Sequence, residues 1–431
     1  MKKPTVRLLF CGAPRGTPKW PNINFNPEAR AKELKNILTS RYPDINFVDS
    51  RVVKNANEVK EVSKEIGSLN EDCVVVFHLA STHFSLFEIM KKAPTIVISD
   101  PYLWGYSGMV GHSRGLRQEG VKGFIVSSSN WRDIDKAFKV IRAYVALKNS
   151  RILVIGEHVY GAPIERYKKA LENLGVQLIF IGFDELMREY EKTDVKEAEK
   201  LADEIISRAD KVVEPAREEV VKSIRLYYAI KSLCKRYNVN GITMDCLGGF
   251  YRGLLPAYPC IAYSLLDDEG SIMSACECDI DSLLTKIAMK YIAERPGFIS
   301  EPAIDTSRNV AIYAHCVAPT KMSGFDNISE PYWIRTHAED NRGAVLQVLM
   351  KGGRDVTVTK LIITEQRLLI LKGELLGHEE KEGGCRTKAT VKIADAQALI
   401  DEWQHSWHLS LIHISEPTRP LYISYAVFCL K

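Results

Sequence analysis

The chain has 431 residues, of which 46% are hydrophobic and 26% are charged. This length exceeds one ordinary hydrophobic core and predicts two or three domains of roughly 100 to 200 residues each. Lysine and arginine number 58 against 54 aspartates and glutamates, which gives a formal net charge of +4. Because the two signs are interspersed along the chain, the composition argues against a partner that is nucleic acid or an anionic membrane.

The first apolar run, VRLLFCG, is too short for the core of a signal peptide and breaks at Gly12. No stretch approaches the roughly 18 apolar residues that a membrane-spanning helix needs. We therefore expect a cytoplasmic protein whose ten cysteines are reduced and mostly buried.

Short apolar runs rich in β-branched residues alternate with helical patterns in the first third of the chain. The runs typical of buried strands are VRLLFCG, INFVDSRVV, CVVVFHLA and TIVISD. The helical patterns between them are PEARAKELKNILTSRY and NANEVKEVSKEIGSL. This alternation predicts a doubly wound parallel sheet, and thus an α/β domain of Rossmann-like type over residues 1–150.

The strand and helix pattern restarts with RILVIGEHV, PIERYKKALENLG and VQLIFIGF. This restart predicts a second doubly wound α/β domain over residues 151–322. Beyond it the sequence alternates apolar with polar residues and contains turns with glycine, as in DVTVTKLIITEQRLLILKGELL. The change indicates a β-rich, barrel-like domain over residues 323–408.

The last segment, residues 409–431, reads LSLIHISEPTRPLYISYAVFCLK and shows neither a helical nor a strand period. It resembles translated sequencing adapter, with a divergent tail that contains a strand as the alternative. We set it aside as a non-native tail. On this interpretation the third domain is truncated after His408.

Glu277 lies just after a small and apolar stretch, residues 273–276, and just before a predicted helix. An ionised carboxylate in such surroundings needs a cation or a hydrogen-bond donor to offset its desolvation. Asp279 and Asp281 stand where an N-cap and a first-turn carboxylate complement a helix dipole, so we assign them to capping.

Glu301 ends an apolar, strand-like run, and His315 follows in VAIYAHCVAP, which is apolar on both sides. Taken singly, Glu301 is explained by a turn before Pro302, and His315 by a core histidine bonded to the backbone. Taken together with Glu277, they suit a hard or borderline divalent ion such as Mn²⁺ or Mg²⁺. The three residues therefore predict a metal site.

The order of SACECD, FISEP and YAHCVAP resembles the metal-binding core of the L-fucose and L-arabinose isomerase family. WIRTHAEDNRGAVLQVLMKGG and GGCRTKATVKI resemble its C-terminal domain, so the resemblance runs from about Gly241 to His408. It implies an aldose–ketose isomerase that works through an ene-diol, with Mn²⁺, or else Mg²⁺ or Co²⁺, as cofactor. Glu277 and Glu301 would be both metal ligands and the proton-transfer pair. The partner would be a monosaccharide, and the assembly a homo-oligomer, either a hexamer or a trimer.

The resemblance also implies a metal histidine near the C-terminus, for which His405 and His408 are the candidates. We favour His408 because the family usually follows that histidine with a strand. Three further residues are candidates for the sugar pocket, with a turn residue or a surface ion pair as alternatives: His337, Glu339 and Arg386. Three histidines of the first domain are candidates for reaching the site of a neighbouring subunit: His78, His83 and His112.

Two other functions fit the same sequence. Paired α/β domains also suit an intracellular sugar-binding protein with a hinged cleft and no catalysis, although buried carboxylates argue against it. A related metal-dependent sugar epimerase would use the same ene-diol. These motifs do not identify the sugar, because the geometry of the pocket determines which hydroxyl stereochemistry is bound.

Overall fold

A computed structural model describes residues 2–82, 84–105, 112, 116, 121–160, 162–402 and 409–413. The chain forms two compact units, the first over Met1–Ala146 and the second over Leu147–Arg419. The mixed α/β class expected from the sequence is confirmed, since both units contain a parallel sheet and the second also contains an antiparallel one. No helix among these residues is long and apolar enough to cross a membrane.

The first unit is built on one parallel sheet with the strand order β2-β1-β4-β5-β6, and β3 pairs beside β1. Its strands are β1 (Thr5–Cys11), β2 (Asn46–Val48), β3 (Val52–Val53), β4 (Cys73–His78), β5 (Thr95–Ser99) and β6 (Gly123–Ser127). Its helices are α1 (Pro27–Arg41), α2 (Ala56–Glu65), α3 (Phe87–Met90) and α4 (Trp131–Lys148), with a 3₁₀ turn at Pro101–Leu103. Nearly every residue of β1, β4 and β5 is buried, as expected for strands that are covered on both faces.

The second unit contains a parallel sheet, a barrel and a small mixed sheet. Its strands are β7 (Arg151–Ile155), β8 (Gln177–Ile181), β9 (Lys211–Val212), β10 (Gly241–Met244), β11 (Met273–Cys276), β12 (Phe298–Asp305), β13 (Val310–His315), β14 (Tyr332–Arg335), β15 (Val345–Val348), β16 (Arg354–Ile362), β17 (Arg367–His378), β18 (Thr387–Lys392) and β19 (Leu409–His413). Its helices are α5 (Ile164–Leu174), α6 (Phe183–Glu191), α7 (Val195–Arg208), α8 (Arg217–Tyr237), α9 (Cys246–Tyr251), α10 (Cys260–Glu269), α11 (Ile280–Ala293) and α12 (Ala396–Glu402).

The strands of the second unit pair in three sheets. The parallel sheet has the order β11-β10-β7-β8, and β15, β14 and β9 form a separate sheet of three strands. The closed antiparallel barrel has the order β12-β13-β18-β17-β16-β19. The barrel thus begins at β12, inside the range that the sequence assigned to the second α/β domain. Its pairing with strands far along the chain, such as β13 with β18, is not visible in the local pattern.

Several helices begin where the sequence supplies a capping side chain. The Asn26 side chain accepts a hydrogen bond from Ala29 N at the start of α1, and Asn55 does the same at the start of α2. Asp279 accepts from Ser282 N at 2.8 Å, so the capping role predicted for it is confirmed.

Polar bonds in a buried environment fasten helix α11 to barrel strand β16. Lys360 Nζ donates to Asp279 Oδ2 at 2.8 Å and to Ser282 Oγ at 3.2 Å. Asp281 accepts the Ile363 N–H at 3.1 Å. The prediction that Asp281 merely complements the helix dipole was therefore incomplete, because its carboxylate also bonds to the barrel.

Leu409–His413, which the sequence interpretation had set aside with the tail, forms strand β19. It pairs with β12 on one side and with β16 on the other, and so closes the barrel. Backbone pairing of this kind does not depend on the identity of the side chains, because the N–H and C=O groups of two strand edges accept any extended segment. The resemblance of residues 409–431 to adapter sequence is therefore not tested by this pairing.

Candidate functional site

The carboxyl ends of the parallel strands form one edge of the sheet in the second unit. Gly156, Asp245 and Glu277 directly follow β7, β10 and β11, which are neighbours in the sheet. Strands β8 and β10 lie on opposite sides of β7, so the direction of winding reverses there. Open α/β sheets bind ligands outside the carboxyl ends of their strands at such a reversal. The topology therefore places Glu277 at the edge where a ligand site is expected.

The backbone at this edge is strained. Glu277 and Cys278 both have left-handed φ angles, +58° and +57°. A residue other than glycine in this region typically costs about 1–3 kcal/mol, and such residues concentrate at functional sites. Two backbone bonds hold the turn: Cys278 N donates to Met244 O at 3.2 Å, and Tyr160 N donates to Cys278 O at 3.0 Å. This turn was not predictable from the sequence, because neither glutamate nor cysteine favours a positive φ.

Glu301 lies on barrel strand β12, opposite Ala314 of β13. Because side chains alternate between the two faces of a strand, the next residue, His315, points to the other face of the barrel. The side chain of Glu301 is exposed, whereas that of Glu277 is half-buried. The two carboxylates come from different elements, one from the edge of the parallel sheet and the other from the barrel.

The charges of both carboxylates, Glu277 and Glu301, affect the pKa of Tyr160. Burial raises the pKa of its hydroxyl, and the negative charges of Glu277, Asp279 and Glu301 raise it further. Both carboxylates therefore contribute to the electrostatics at Tyr160. Sequence analysis did not single out Tyr160, which lies in the loop after β7 and has no motif of its own.

His315 is buried and accepts a hydrogen bond at Nδ1 from Val317 N, at 3.2 Å. An imidazole that accepts at Nδ1 carries its proton on Nε2 when it is neutral. Coordination of a metal would therefore require the ring to exchange this backbone bond for the ion. The contact agrees with the alternative in which His315 is a core histidine bonded to the backbone.

Among the residues that the structure describes, no three histidine, cysteine, aspartate or glutamate side chains are arranged to hold a metal ion together. His405 and His408 lie outside the described residues, and so does His83. The complete ligand set that the sequence predicted, Glu277, Glu301, His315 and His408, is therefore not assembled here and stays a prediction.

The expectation that His78 and His112 reach the site of a neighbouring subunit stays a prediction, and within their own unit the two rings pack together. Both side chains are buried, with exposures of 1% and 2%. Their ring centroids lie 5.4 Å apart, and Phe87 packs edge-on against His112 at 5.9 Å. Burial lowers the pKa of His78 to about 3 and that of His112 to about 4, so both rings are neutral at physiological pH. His78, the last residue of β4, lies at the carboxyl edge of the sheet in the first unit.

His337 is part of an aromatic stack. Its ring lies 4.2 Å from that of Tyr258, whose other face stacks on Phe250 at 3.9 Å. Tyr258 Oη donates to Asp340 Oδ2 at 2.9 Å. Burial by itself would lower the pKa of His337, but its contact with Cys316 and the charge of Asp340 outweigh burial and raise it.

Arg386 is buried and holds the loop around His337 in place. It donates from Nε to Thr336 O at 2.9 Å, and from Nη2 to Thr336 Oγ1 at 3.2 Å and Asn341 Oδ1 at 3.0 Å. The alternative considered for Arg386 was a surface ion pair. Of the contacts that Arg386 makes with the described residues, only the one with Glu382 is an ion pair. Glu339, the third residue considered for a sugar pocket, is exposed. The structure thus gives Arg386 a positioning role and leaves Glu339 at the surface.

Several cysteine thiols of the second unit lie in contact with one another. Every cysteine in the described part of the chain is free. The thiol of Cys246 contacts that of Cys276, and this contact, followed by burial, raises the pKa of Cys276. Burial raises the pKa of Cys260 and of Cys278, and the charge of Glu277 adds to the rise. Cys316 contacts Cys385, His337 and the Ala338 N–H, and the Cys385 contact is the largest cause of the lowered pKa of Cys316. The expectation that the thiols are mostly buried is confirmed for the described residues.

The first unit has a cavity of its own at the carboxyl ends of β4, β5 and β6. Its volume is about 420 Å³, part of which is open to solvent. The walls combine an apolar floor with a polar rim that includes Arg30, Asp100 and Ser128. His78 is among the residues that line this cavity, whereas Glu277, Glu301 and His315 belong to the second unit.

No protein-family model matches the sequence, and no curated protein is similar to it at a significant level. The likeness to the fucose and arabinose isomerases therefore rests on the sequence motifs alone.

Proposed function

We propose that the protein is a metal-dependent aldose–ketose isomerase in which Glu277 and Glu301 carry out the proton transfers. The observation that carries this proposal is the position of Glu277, on a left-handed turn at the carboxyl edge of the parallel sheet, where the direction of winding reverses. The charges of Glu277 and Glu301 both contribute to the raised pKa of Tyr160, which adds support. A homo-oligomer and a monosaccharide substrate belong to the same proposal.

Isomerisation moves a carbonyl between C1 and C2 of an open-chain sugar. A base takes the proton from one carbon, and the same or a second group returns it to the neighbouring carbon of the ene-diol. A carboxylate within hydrogen-bond reach performs either step. In our assignment, Glu277 and Glu301 stand on opposite faces of the ene-diol. The Tyr160 hydroxyl is protonated at physiological pH, since the ordinary pKa of tyrosine is about 10 and that of Tyr160 is raised further, and in our assignment it donates a hydrogen bond to a substrate oxygen.

The donor set fits a hard divalent ion in part. Two carboxylates are ligands that Mn²⁺ and Mg²⁺ accept, and carboxylates that share one environment repel each other unless a cation lies nearby. His315 fits only after giving up its bond to Val317 N. When bound, the ion supplies Lewis-acid stabilisation of the charge on two substrate oxygens.

The first prediction concerns Glu277→Gln and Glu301→Gln. Each variant should fold and lose isomerase activity by about 10²-fold or more, because general acid–base catalysis contributes on this scale. The measurement is ketose formation from a panel of aldoses with Mn²⁺. The matched control is Glu374→Gln, an exposed glutamate on barrel strand β17, which should keep wild-type activity.

The same assay separates the isomerase from the other functions considered. A C2 epimer as the product would replace the isomerase by an epimerase. Sugar binding without turnover by the wild-type chain would replace it by a binding protein. Substantial ketose formation by either Gln variant would refute the assignment of the proton-transfer pair.

A further inference from the structure

Two pairs of thiols lie in contact in the second unit. Cys246 and Cys276 form one pair, and Cys316 and Cys385 form the other. The first pair is buried on both sides. In the second pair Cys316 is buried, but Cys385 is partly exposed. Solutes therefore have access to the second pair through Cys385.

The fold brings Cys316 and Cys385 to the same end of two paired strands. His315, the last residue of β13, pairs with Thr387, the first residue of β18. Cys316 comes one residue after the end of this ladder, and Cys385 two residues before its start. The two cysteines therefore leave the barrel side by side.

The backbone before Cys385 is free to adjust. Gly383 and Gly384 precede it with φ angles of +95° and +68°, and a Cβ at either position would meet no atom within 4 Å. A disulfide requires its Cα atoms within roughly 7 Å and a specific dihedral angle. Two glycines in open space allow Cys385 to reach that geometry, whereas Arg386 beyond it is held by buried hydrogen bonds.

We propose that Cys316 and Cys385 are a modification site at which hydrogen peroxide forms a disulfide. One sulfur attacks an oxygen of peroxide and loses its proton, which gives a sulfenic acid and one water. The second sulfur then attacks the sulfenic sulfur, the S–S bond forms, and the hydroxyl leaves with the second thiol proton as another water. In total two thiols lose two electrons and two protons, and one peroxide becomes two waters.

Oxidation would alter the candidate site. Cys316 is adjacent to His315, and its sulfur contacts His337 and the Ala338 N–H, contacts that a bond to Cys385 would weaken. The negative charge of Glu301 contributes to the raised pKa of Cys385. This effect on activity rests on the proposed isomerase function. We expect isomerase activity to fall in proportion to the cross-linked fraction of the protein and to return when dithiothreitol reduces the disulfide.

The experiment treats the full chain with hydrogen peroxide, blocks the remaining thiols with N-ethylmaleimide after unfolding, and identifies cross-linked peptides by mass spectrometry. The expected product joins Cys316 to Cys385 and is lighter by two hydrogens. Cys246 and Cys276 serve as the internal control, because they are also in contact but are shielded, and should be recovered alkylated. The Cys385→Ser variant should lose the product, and Cys234→Ser, which changes a buried thiol of α8, should keep it.

Failure of this inference and failure of the proposed function are distinguishable. Absence of the Cys316–Cys385 peptide, or equal yields of a Cys246–Cys276 peptide, overturns the modification site whatever the activity. If the cross-link forms in a chain without isomerase activity, the modification site stands and the proposed function falls. If a fully cross-linked enzyme keeps its activity, the effect on the site is refuted. Thermal unfolding of each variant shows that it is folded.

Discussion

Asp281 is a buried carboxyl group at the contact between α11 and the barrel. Tyr167 Oη donates to it at 3.0 Å, and Ile363 N donates to its other oxygen at 3.1 Å. Burial raises its pKa to about 7, the charge of Asp279 adds to the rise, and Lys360 opposes it. A carboxyl group with such a pKa is ionised only above neutral pH, where the interior has to accommodate an extra negative charge.

The second prediction is that Asp281 makes the protein less stable as pH rises. Its pKa is near 7 in the folded state and about 4 in the unfolded state, so the folded chain binds more protons between these values. Stability from this group is present below about pH 4 and is lost as pH rises to about 7. Asp281→Asn mimics the protonated form and should add up to about 4 kcal/mol to the free energy of unfolding at pH 8, and much less at pH 4.

Urea unfolding of Asp281→Asn and of the wild type at several pH values measures this difference. Asp326→Asn, at an exposed position, controls for the loss of one charge. A stability difference that is the same at pH 4 and pH 8 would show that Asp281 does not titrate in this range.

Single residues of the site were predictable to different degrees. Glu277 and Glu301 could be singled out because a carboxylate next to an apolar run is conspicuous in the sequence. Tyr160 and the pair of Cys316 and Cys385 could not, because each matters only through a neighbour that is distant along the chain. His315 remained ambiguous in the sequence, and its bond to Val317 N arises from the way the chain turns after β13.

At the scale of elements, helix α11 is attached to the barrel by an ion pair that is almost fully buried. The side chains of Lys360 and Asp279 are each 2% exposed, and their charged atoms lie 2.8 Å apart. Leu361 N adds a bond to Thr285 Oγ1 at 2.9 Å. Removal of one member of such a pair leaves an uncompensated charge in the interior.

The third prediction follows from this pair. Lys360→Met should lower the free energy of unfolding by about 3–5 kcal/mol, because Asp279 would lose its cation. Adding Asp279→Asn should recover part of that loss, since asparagine still caps α11 and carries no charge. Urea unfolding of the two single variants and the double variant measures the coupling between the sites. If the changes in the free energy of unfolding of the two single variants add up to that of the double variant, Lys360 and Asp279 are not coupled and the prediction is refuted.

Local chemistry accounts for the elements that the sequence predicts well. The start of α11 near Asp279 or Ile280 was predicted because an N-cap aspartate before a helical pattern is a short-range signal. The membership of β12 and β13 in the barrel was not predicted. Their apolar runs fit a buried parallel strand as well as a barrel strand, and only their distant partners decide between the two.

At the scale of the whole molecule, the site proposed for the second unit combines two kinds of sheet. Glu277 comes from the edge of the parallel sheet and Glu301 from the barrel, so the position of one relative to the other depends on how the barrel is closed. Strand β19 completes that closure through pairs with β12, which carries Glu301, and with β16, which carries Lys360. The integrity of the barrel is therefore linked to the geometry of the site.

The fourth prediction tests this link by ending the chain after His408. Without Leu409–His413, the edges of β12 and β16 would be left unpaired, and exposed strand edges promote association with other chains. The shortened chain should unfold at a lower temperature and scatter more light on heating than the full chain. A chain that ends after His413 is the matched control and should behave like the full chain, because it keeps the backbone pairs of β19. Equal unfolding temperatures for all three chains would show that β19 does not stabilise the barrel, and would remove the link between barrel closure and the position of Glu301.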